Sequence, residues 1–331
     1  MLKSFLPIGG SWRGRSVKFH AGATLHLSIN LNRFVIALDI RPAQATVAVV
    51  DLGGKIVAQN ILALPSDAAK ALTAIVSGIR KLIVAHKDKS FDGIGVCLPG
   101  RADLSLQNLI FAPNLSWPVL GIKDRIQQAT GLTVEMDNVA NACVLSEVWF
   151  GDSNGRRDLV VVNVSEGIGT GIFVNGQLLR GANGMAGEFG HVQIDCNGPA
   201  CACGNNGCWE TLASNVAALR YYNELKPSVS GTNFESLLKL AQCGDKNAVK
   251  AIEKMALHLG RGIRMIEAAL APNEIVVVGD ITTMWHIIGP IVEGELERRS
   301  SLRSMQLRPA YDGNSARLRS AVALVLSKGA V

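Results

Sequence analysis

What this chain of 331 residues lacks narrows its class before any motif is read. It has no apolar run near the roughly 18 residues that a membrane-spanning helix requires, which excludes that class. Its opening, MLKSFLPIGGSWRGR, holds too short a hydrophobic stretch for a secretory leader, so a cytoplasmic location without membrane attachment is expected. Charged residues are few, at 18%, while apolar residues reach 48%, enough to bury a core and too many for large-scale disorder. The length exceeds one small core and points to two domains or one two-lobed unit. Acidic groups are missing altogether from residues 1–33, which carry Lys3, Arg13, Arg15, Lys18 and Arg33. Nearly all of the net charge of +6 therefore sits in a basic N-terminal arm. Such an arm either touches nucleic acid electrostatically or is simply solvated.

What is present alternates between strand and helix patterns. RFVIALDI and ATVAVVDLGGKIVAQNILAL read as three consecutive strands, with Gly53 and Gly54 in the second turn. Ser66 is placed to cap a helix whose apolar face is Ala71, Ile75, Ile79, Leu82 and Ile83. GIGVCLPG is the next strand, then a helix in VLGIKDRIQQATG and a strand in LTVEMDN. The pattern restarts at Leu159, where LVVVNVSEGIGTGIFVNGQLLRG gives three more strands through a Gly-rich turn and an Asn-Gly turn. Helices over 214–225, 233–244 and 245–271 follow, then the strand EIVVVG and a C-terminal helix in NSARLRSAVALVLSKG. Two halves that open alike imply related lobes with a ligand cleft between them. The expected division is an arm over 1–33, a small α/β lobe over 34–153 plus 306–331, and a large α/β lobe over 154–305.

The sharpest chemical signal is GEFGHVQIDCNGPACACGNNGCWE. Cys201, Cys203 and Cys208 form a C-x-C-x4-C array, and His191 lies ten residues before Cys201. Thiolate and imidazole ligands at this spacing favour tetrahedral zinc, and a reducing compartment argues against disulfides. Four protein ligands leave no open position, so the metal would be structural. Cys97, Cys143 and Cys243 fall in apolar runs and read as small buried hydrophobes, whereas Cys196 precedes the array without fitting it. The metal would fix a loop carrying Glu188, His191 and Glu210, side chains suited to several hydroxyl groups at once.

The stretch GANGMAGEFGHVQIDCNGPACACGNNGCWE resembles the signature of the ROK family of repressors, open reading frames and sugar kinases. The likeness runs from about Arg33 to the C-terminus, through LPGRAD, APNLSW, DNVANACVLSEVWFG and EIVVVGD. It implies an actin-like, ribonuclease H-like bilobal α/β fold with a structural zinc loop, a sugar in the cleft and a homodimer. By the same resemblance Asn114, Asn138, Glu188, His191 and Glu210 would meet sugar hydroxyls, and His191, Cys201, Cys203 and Cys208 would hold zinc. One ring nitrogen of His191 would serve the metal while the other side of the ring faces the sugar.

The chain departs from the kinase pattern on the catalytic and nucleotide side. Family kinases read Asn-Asp-Ala-Asn with the Asp eight positions before a Glu, and eight before Glu147 stands Val139. An isopropyl group cannot take the proton of an attacking hydroxyl, and losing a general base costs roughly 10²- to 10⁴-fold. No catalytic residue is therefore assigned, with Asp137 as the outside candidate. The kinase loop Asp-x-Gly-Gly-Thr is DIRPAQAT here: Asp39 survives, but Arg41, Pro42 and Ala43 replace the flexible part, and Pro42 lacks a backbone donor. Glu166 takes a Thr position in SEGIGTG, where Gly167, Gly169 and Gly171 remain as turn formers, and Asp280 follows Gly279 where a second Gly is usual. The resemblance thus implies zinc and disfavours ATP.

Binding without phosphorylation is the simplest consequence, as in the ROK transcriptional regulators. Their DNA-binding element is an N-terminal winged helix-turn-helix, and GGSWRGRSVKFHAGATLHLSINLNRFVIALDI is similar to the end of its wing and linker. No helix-turn-helix pattern precedes that stretch, so DNA is expected as a partner only where one is encoded upstream. The expected function is a non-catalytic regulator core sensing a sugar or sugar phosphate in carbohydrate metabolism. An ATP-dependent sugar kinase of the glucokinase or N-acetylhexosamine type with weak activity stays open, as does a zinc-stabilised interaction module.

Overall fold

The structure is a computed structural model describing residues 32–103, 108–111, 121–151, 158–227, 232–297, 305–310 and 315–328. It also describes the backbone of two short strands, β1 (Ser16–Lys18) and β2 (Thr24–His26), which pair antiparallel. The rest of the expected basic arm before Asn32 lies outside the described residues. The chain forms two compact units, one of Met1–Gly155 with Ser315–Val331, the other of Arg156–Asn314.

The first unit opens with β3 (Arg33–Ile40), β4 (Gln44–Asp51) and β5 (Ile56–Ala63). Every residue of β3 after Arg33 is buried, as a run apolar at all positions but Asp39 favours, whereas β5 is more exposed because it forms the sheet edge. Between β4 and β5 the Asp51 carboxylate accepts from the Gly53 and Lys55 backbone N–H groups, both at 2.9 Å, and closes the Gly-Gly turn. α1 (Ala68–Ala85) follows, with Ala71, Leu72, Ile75, Ile79 and Leu82 buried along one face. Its cap is Asp67, whose carboxylate accepts from the Lys70 N–H at 2.8 Å, and not Ser66 one residue earlier. β6 (Ser90–Leu98), the hairpin β7 (Arg101–Asp103) and β8 (Asn108–Phe111), α2 (Ile122–Thr130), β9 (Val134–Asn138) and α3 (Val139–Phe150) complete the first pass. The sheet order is β5-β4-β3-β6-β9, antiparallel through β3 and parallel beyond it.

The second unit repeats this plan. β10 (Leu159–Val164), β11 (Ile168–Val174) and β12 (Gln177–Leu178) are antiparallel, the last two joined at Asn175 and Gly176, both with positive φ. α4 (Trp209–Ala213), α5 (Asn215–Leu225), α6 (Phe234–Gln242) and α7 (Lys246–Leu270) come next, then β13 (Glu274–Val278), α8 (Trp285–Glu297) and β14 (Gln306–Pro309). The order β12-β11-β10-β13-β14 matches the first sheet strand for strand. β14 corrects the expected boundary at 306: it pairs in parallel with β13, and Arg308 Nε donates to the buried Glu274 carboxylate at 2.6 Å. The chain therefore rejoins the first unit at Ser315.

That return is α9 (Ser315–Lys328), which packs on β3, β6, β9 and α3. Gly95 of β6 permits the approach, since a Cβ there would lie 1.8 Å from the Ala321 carbonyl oxygen. No described helix is long and apolar enough to cross a membrane.

Candidate functional site

The loop between β12 and α4 gathers the ligand-type side chains. A 3₁₀ turn, Glu188–His191, lies directly on β11. Gly187 and Gly190 make this possible, because a Cβ on either would sit 2.3 and 2.1 Å from the carbonyl oxygens of Thr170 and Ile168. Beyond it the backbone doubles back on itself: Ile194 N–H bonds to Gly207 O at 2.9 Å, Gly207 N–H to Pro199 O at 2.7 Å and Cys201 N–H to Asn205 O at 2.7 Å. Gly207, at φ +59, lies so close to Asp195 that a Cβ would come within 1.6 Å of its carbonyl oxygen.

This fold brings one ligand atom each of His191, Cys201, Cys203 and Cys208 within 4.8 Å of one another. The Cys203 and Cys208 sulfurs are 3.6 Å apart, and Cys201 Sγ is 3.5 Å from His191 Nδ1. Tetrahedral zinc with ordinary bond lengths sets sulfur–sulfur separations of about 3.8 Å and sulfur–nitrogen separations of about 3.6 Å, so the donor set fits that ion. Burial pushes the Cys201 and Cys208 thiols above their ordinary range, whereas the Asn205 backbone N–H draws Cys203 below it. A dication at the centre would favour the thiolate at all three. Cys196 and Cys243 are exposed and Cys97 and Cys143 buried, which corrects the reading of Cys243 as a core residue: it follows the last turn of α6.

Two carboxylates flank the imidazole. Glu210, in the first turn of α4, accepts from Cys201 Sγ at 3.2 Å and lies 3.5 Å from His191 Nδ1. Glu188 approaches the other nitrogen, Nε2, at 3.6 Å. His191 thus stands between the cysteines on one edge and Glu188 on the other. Behind the loop Trp209, fully buried, donates from Nε1 to the His258 carbonyl at 3.0 Å and lies flush against α7, where a Cβ on Gly262 would come within 1.9 Å of the indole.

The remaining expected residues are placed separately. Asn114 lies outside the described residues. Asn138 caps α3, its Oδ1 accepting from the Ala140 N–H at 2.7 Å while its Nδ2 donates to the Gly100 carbonyl. Val139 is the first residue of α3 and is buried. Asp137, also buried, accepts on Oδ1 from the Asn138 N–H at 2.7 Å and from Asn141 Nδ2 at 3.1 Å. In the second unit Glu166 occupies the β10–β11 turn, which Ser165 N–H closes on Gly167 O at 2.9 Å. Gly169 is paired with Asn163 in the sheet. Gly279 packs against the last residue of β10, its hypothetical Cβ 2.0 Å from Val164 O, so the two altered loops lie side by side. Sequence reading missed Arg317, which joins Asp39; it shares the first turns of α9 with Arg319, and no local pattern marks it as the paired one.

Comparison with known proteins fits this arrangement. Residues 35–328 match the ROK family model. The chain belongs to the ROK family. Relatives in the family fall on both sides of the question of catalysis. The xylose repressor of Bacillus subtilis (strain 168) is 29% identical over 289 residues, 86% of this chain and 74% of that protein. The glucokinase of Halalkalibacterium halodurans is 30% identical over 268 residues, 76% and 81% of the two chains. Among solved structures, the ROK family glucokinase from Streptomyces griseus with glucose and AMPPNP superposes at a TM-score of 0.81, with 27% identity over 89% of this chain and 99% of that one. A ROK family transcriptional regulator, a homologue of the E. coli MLC protein, gives 0.78 at 25% identity over 93% and 83%.

Proposed function

We propose that this ROK chain is a non-catalytic regulator core that binds a sugar or sugar phosphate through Glu188, His191 and Glu210. The observation that carries this reading is the contrast between an assembled His191 loop and a buried Val139 where the kinase resemblance calls for a general base. His191, Cys201, Cys203 and Cys208 would hold zinc, which would supply no chemistry beyond fixing the loop. The protein's own groups do the binding. Carboxylate oxygens of Glu188 and Glu210 accept from sugar hydroxyls, and the imidazole, held between metal side and Glu188, fixes their spacing. Asn114 and Asn138 are proposed to complete the hydroxyl contacts, a role that Asn138 would combine with capping α3. The similarity to xylose and N-acetylglucosamine repressors supports a role in sugar-responsive transcription, with DNA contact dependent on a helix-turn-helix element and a homodimer as the working assembly.

The weak-kinase reading has one observation in its favour: Asp137 stands two residues before Val139 at the end of β9. Against it, Asp137 is buried and holds the entry to α3 through two hydrogen bonds. Calorimetric titration with pentoses, hexoses, N-acetylhexosamines and their phosphates, run beside an ATP-consumption assay, separates the readings. One sugar class should bind without ATP turnover. Glu188→Ala should weaken it by about 1 to 3 kcal/mol with zinc retained, and His191→Ala should lose sugar and zinc together. Robust phosphorylation, or unchanged affinity in Glu188→Ala, overturns the proposal.

A further inference from the structure

Asp39 is the one member of the altered phosphate loop that keeps the residue type expected of a nucleotide site. Its carboxylate is buried at the end of β3, and both oxygens are engaged. Oδ1 accepts from Arg317 Nη2 at 2.7 Å and from its Nε at 3.1 Å; Oδ2 accepts from the same Nε at 2.9 Å and from Arg41 Nε at 3.2 Å. Arg317 is buried to the same degree, in the first turn of α9. The surroundings continue the polar line: the Arg317 carbonyl accepts from Ser320 Oγ at 2.6 Å, and Ser320 Oγ lies 3.2 Å from Cys97 Sγ.

These contacts leave no place for the phosphates and magnesium of ATP at this carboxylate. A magnesium ion takes carboxylate oxygens in octahedral geometry with several waters, and here the oxygens are turned to two guanidinium groups. A cation beside Arg317 would meet a like charge at close range in a buried setting, where screening is weakest. The residues of this loop do not fit the nucleotide that the kinase members of the fold would bring.

We infer that the phosphate loop of this chain has been converted into a structural lock, in which Asp39 and Arg317 form a buried ion pair that fastens the C-terminal helix α9 to the first sheet. The inference deepens the non-catalytic reading and rests on it only where ATP is concerned; sugar binding plays no part. Removing Asp39 deprives the buried Arg317 of its carboxylate, and removing Arg317 leaves the buried Asp39 with only the longer Arg41 contact, each strongly destabilising, whereas replacing both with neutral groups of similar volume is tolerated. Arg41, less buried than either, is an auxiliary contact.

The test is a melting series on the full chain: parent, Asp39→Asn, Arg317→Met and the double variant, each with and without Mg·ATP at millimolar concentration. Each single substitution should lower Tm by about 10 °C, and the double should regain at least half of that loss. Mg·ATP should leave the parent unmoved. Should the single variants fail to fold, a double variant that is soluble and melts cooperatively supports the lock; one that fails like the singles overturns it. Singles that melt with the parent, strictly additive losses, or a magnesium-dependent ATP shift that Asp39→Asn abolishes also overturn it. None of these outcomes depends on sugar binding, so a protein that bound no sugar would still show the lock.

Discussion

Single side chains decide how this member of the family is to be read, and Val139 decides most. It is buried at the start of α3, and Val139→Asp restores the residue type that the resemblance to family kinases expects there. Phosphoryl transfer needs more than a base, because Arg317 still occupies Asp39 and Glu166 still fills the β10–β11 turn. Val139→Asp should therefore show no ATP turnover above the parent in a coupled assay with any sugar that binds; measurable turnover would mean the nucleotide side is competent. The clustering of His191, Cys201, Cys203 and Cys208 was legible in the sequence because cysteine and histidine spacing within one loop survives without tertiary knowledge. Arg317 was not, since its partner is 278 residues away and nothing local distinguishes a paired guanidinium from a solvated one. Asn138 was legible as a polar residue, but its capping of α3 depended on where the helix began.

Among the elements, close approach is governed by two glycines that read as ordinary ones in sequence. A side chain on Gly95 would strike the backbone of α9, and one on Gly262 would strike the ring of Trp209. Gly95→Ala and Gly262→Ala should each destabilise at or above the upper end of the about 1 to 3 kcal/mol range for overpacking, read as a lower denaturant midpoint with an unchanged slope. Gly294→Ala, which meets nothing within 4 Å, is the control in α8 and should be neutral or stabilising. The strands of both sheet openings were readable because Val and Ile runs between turn residues have few alternatives. β14 and α8 were not: β14 spans only four residues, and Pro290 interrupts the helical pattern of α8. That is also why the expected boundary at 306 cut the second unit short.

For the molecule as a whole, two solution conditions should report on the second unit. Purified protein should carry about one zinc per chain, and a chelator or Cys203→Ser should lower Tm with loss of metal, as expected where ligand binding and folding are coupled. Metal analysis of unchelated protein showing none would remove the basis for the sugar-loop proposal. Acidity acts through His258 on α7, which burial, then Arg261 and Lys254, hold below the ordinary imidazole value of 6.5. The folded state resists a proton that the unfolded state accepts. Stability should therefore fall as pH drops below about 6.5, and the loss should level off once pH passes the depressed folded value. Comparing parent and His258→Gln at fixed zinc should show a shallower decline in the variant over that window; identical slopes would remove His258 from the account.

The placement of Trp209 gives the protein an optical readout of its own. The indole follows Cys208 directly in the chain, is shut away from water and is pinned by its ring nitrogen to the backbone of α7. Emission from a tryptophan so enclosed lies to the blue, and any slackening of the cysteine loop that admits water moves it to the red. The difference between parent and Trp209→Phe spectra isolates this signal from the other four tryptophans. A fluorimeter can then follow the response of the cysteine loop to added zinc, and to added sugars, in unlabelled protein and in real time.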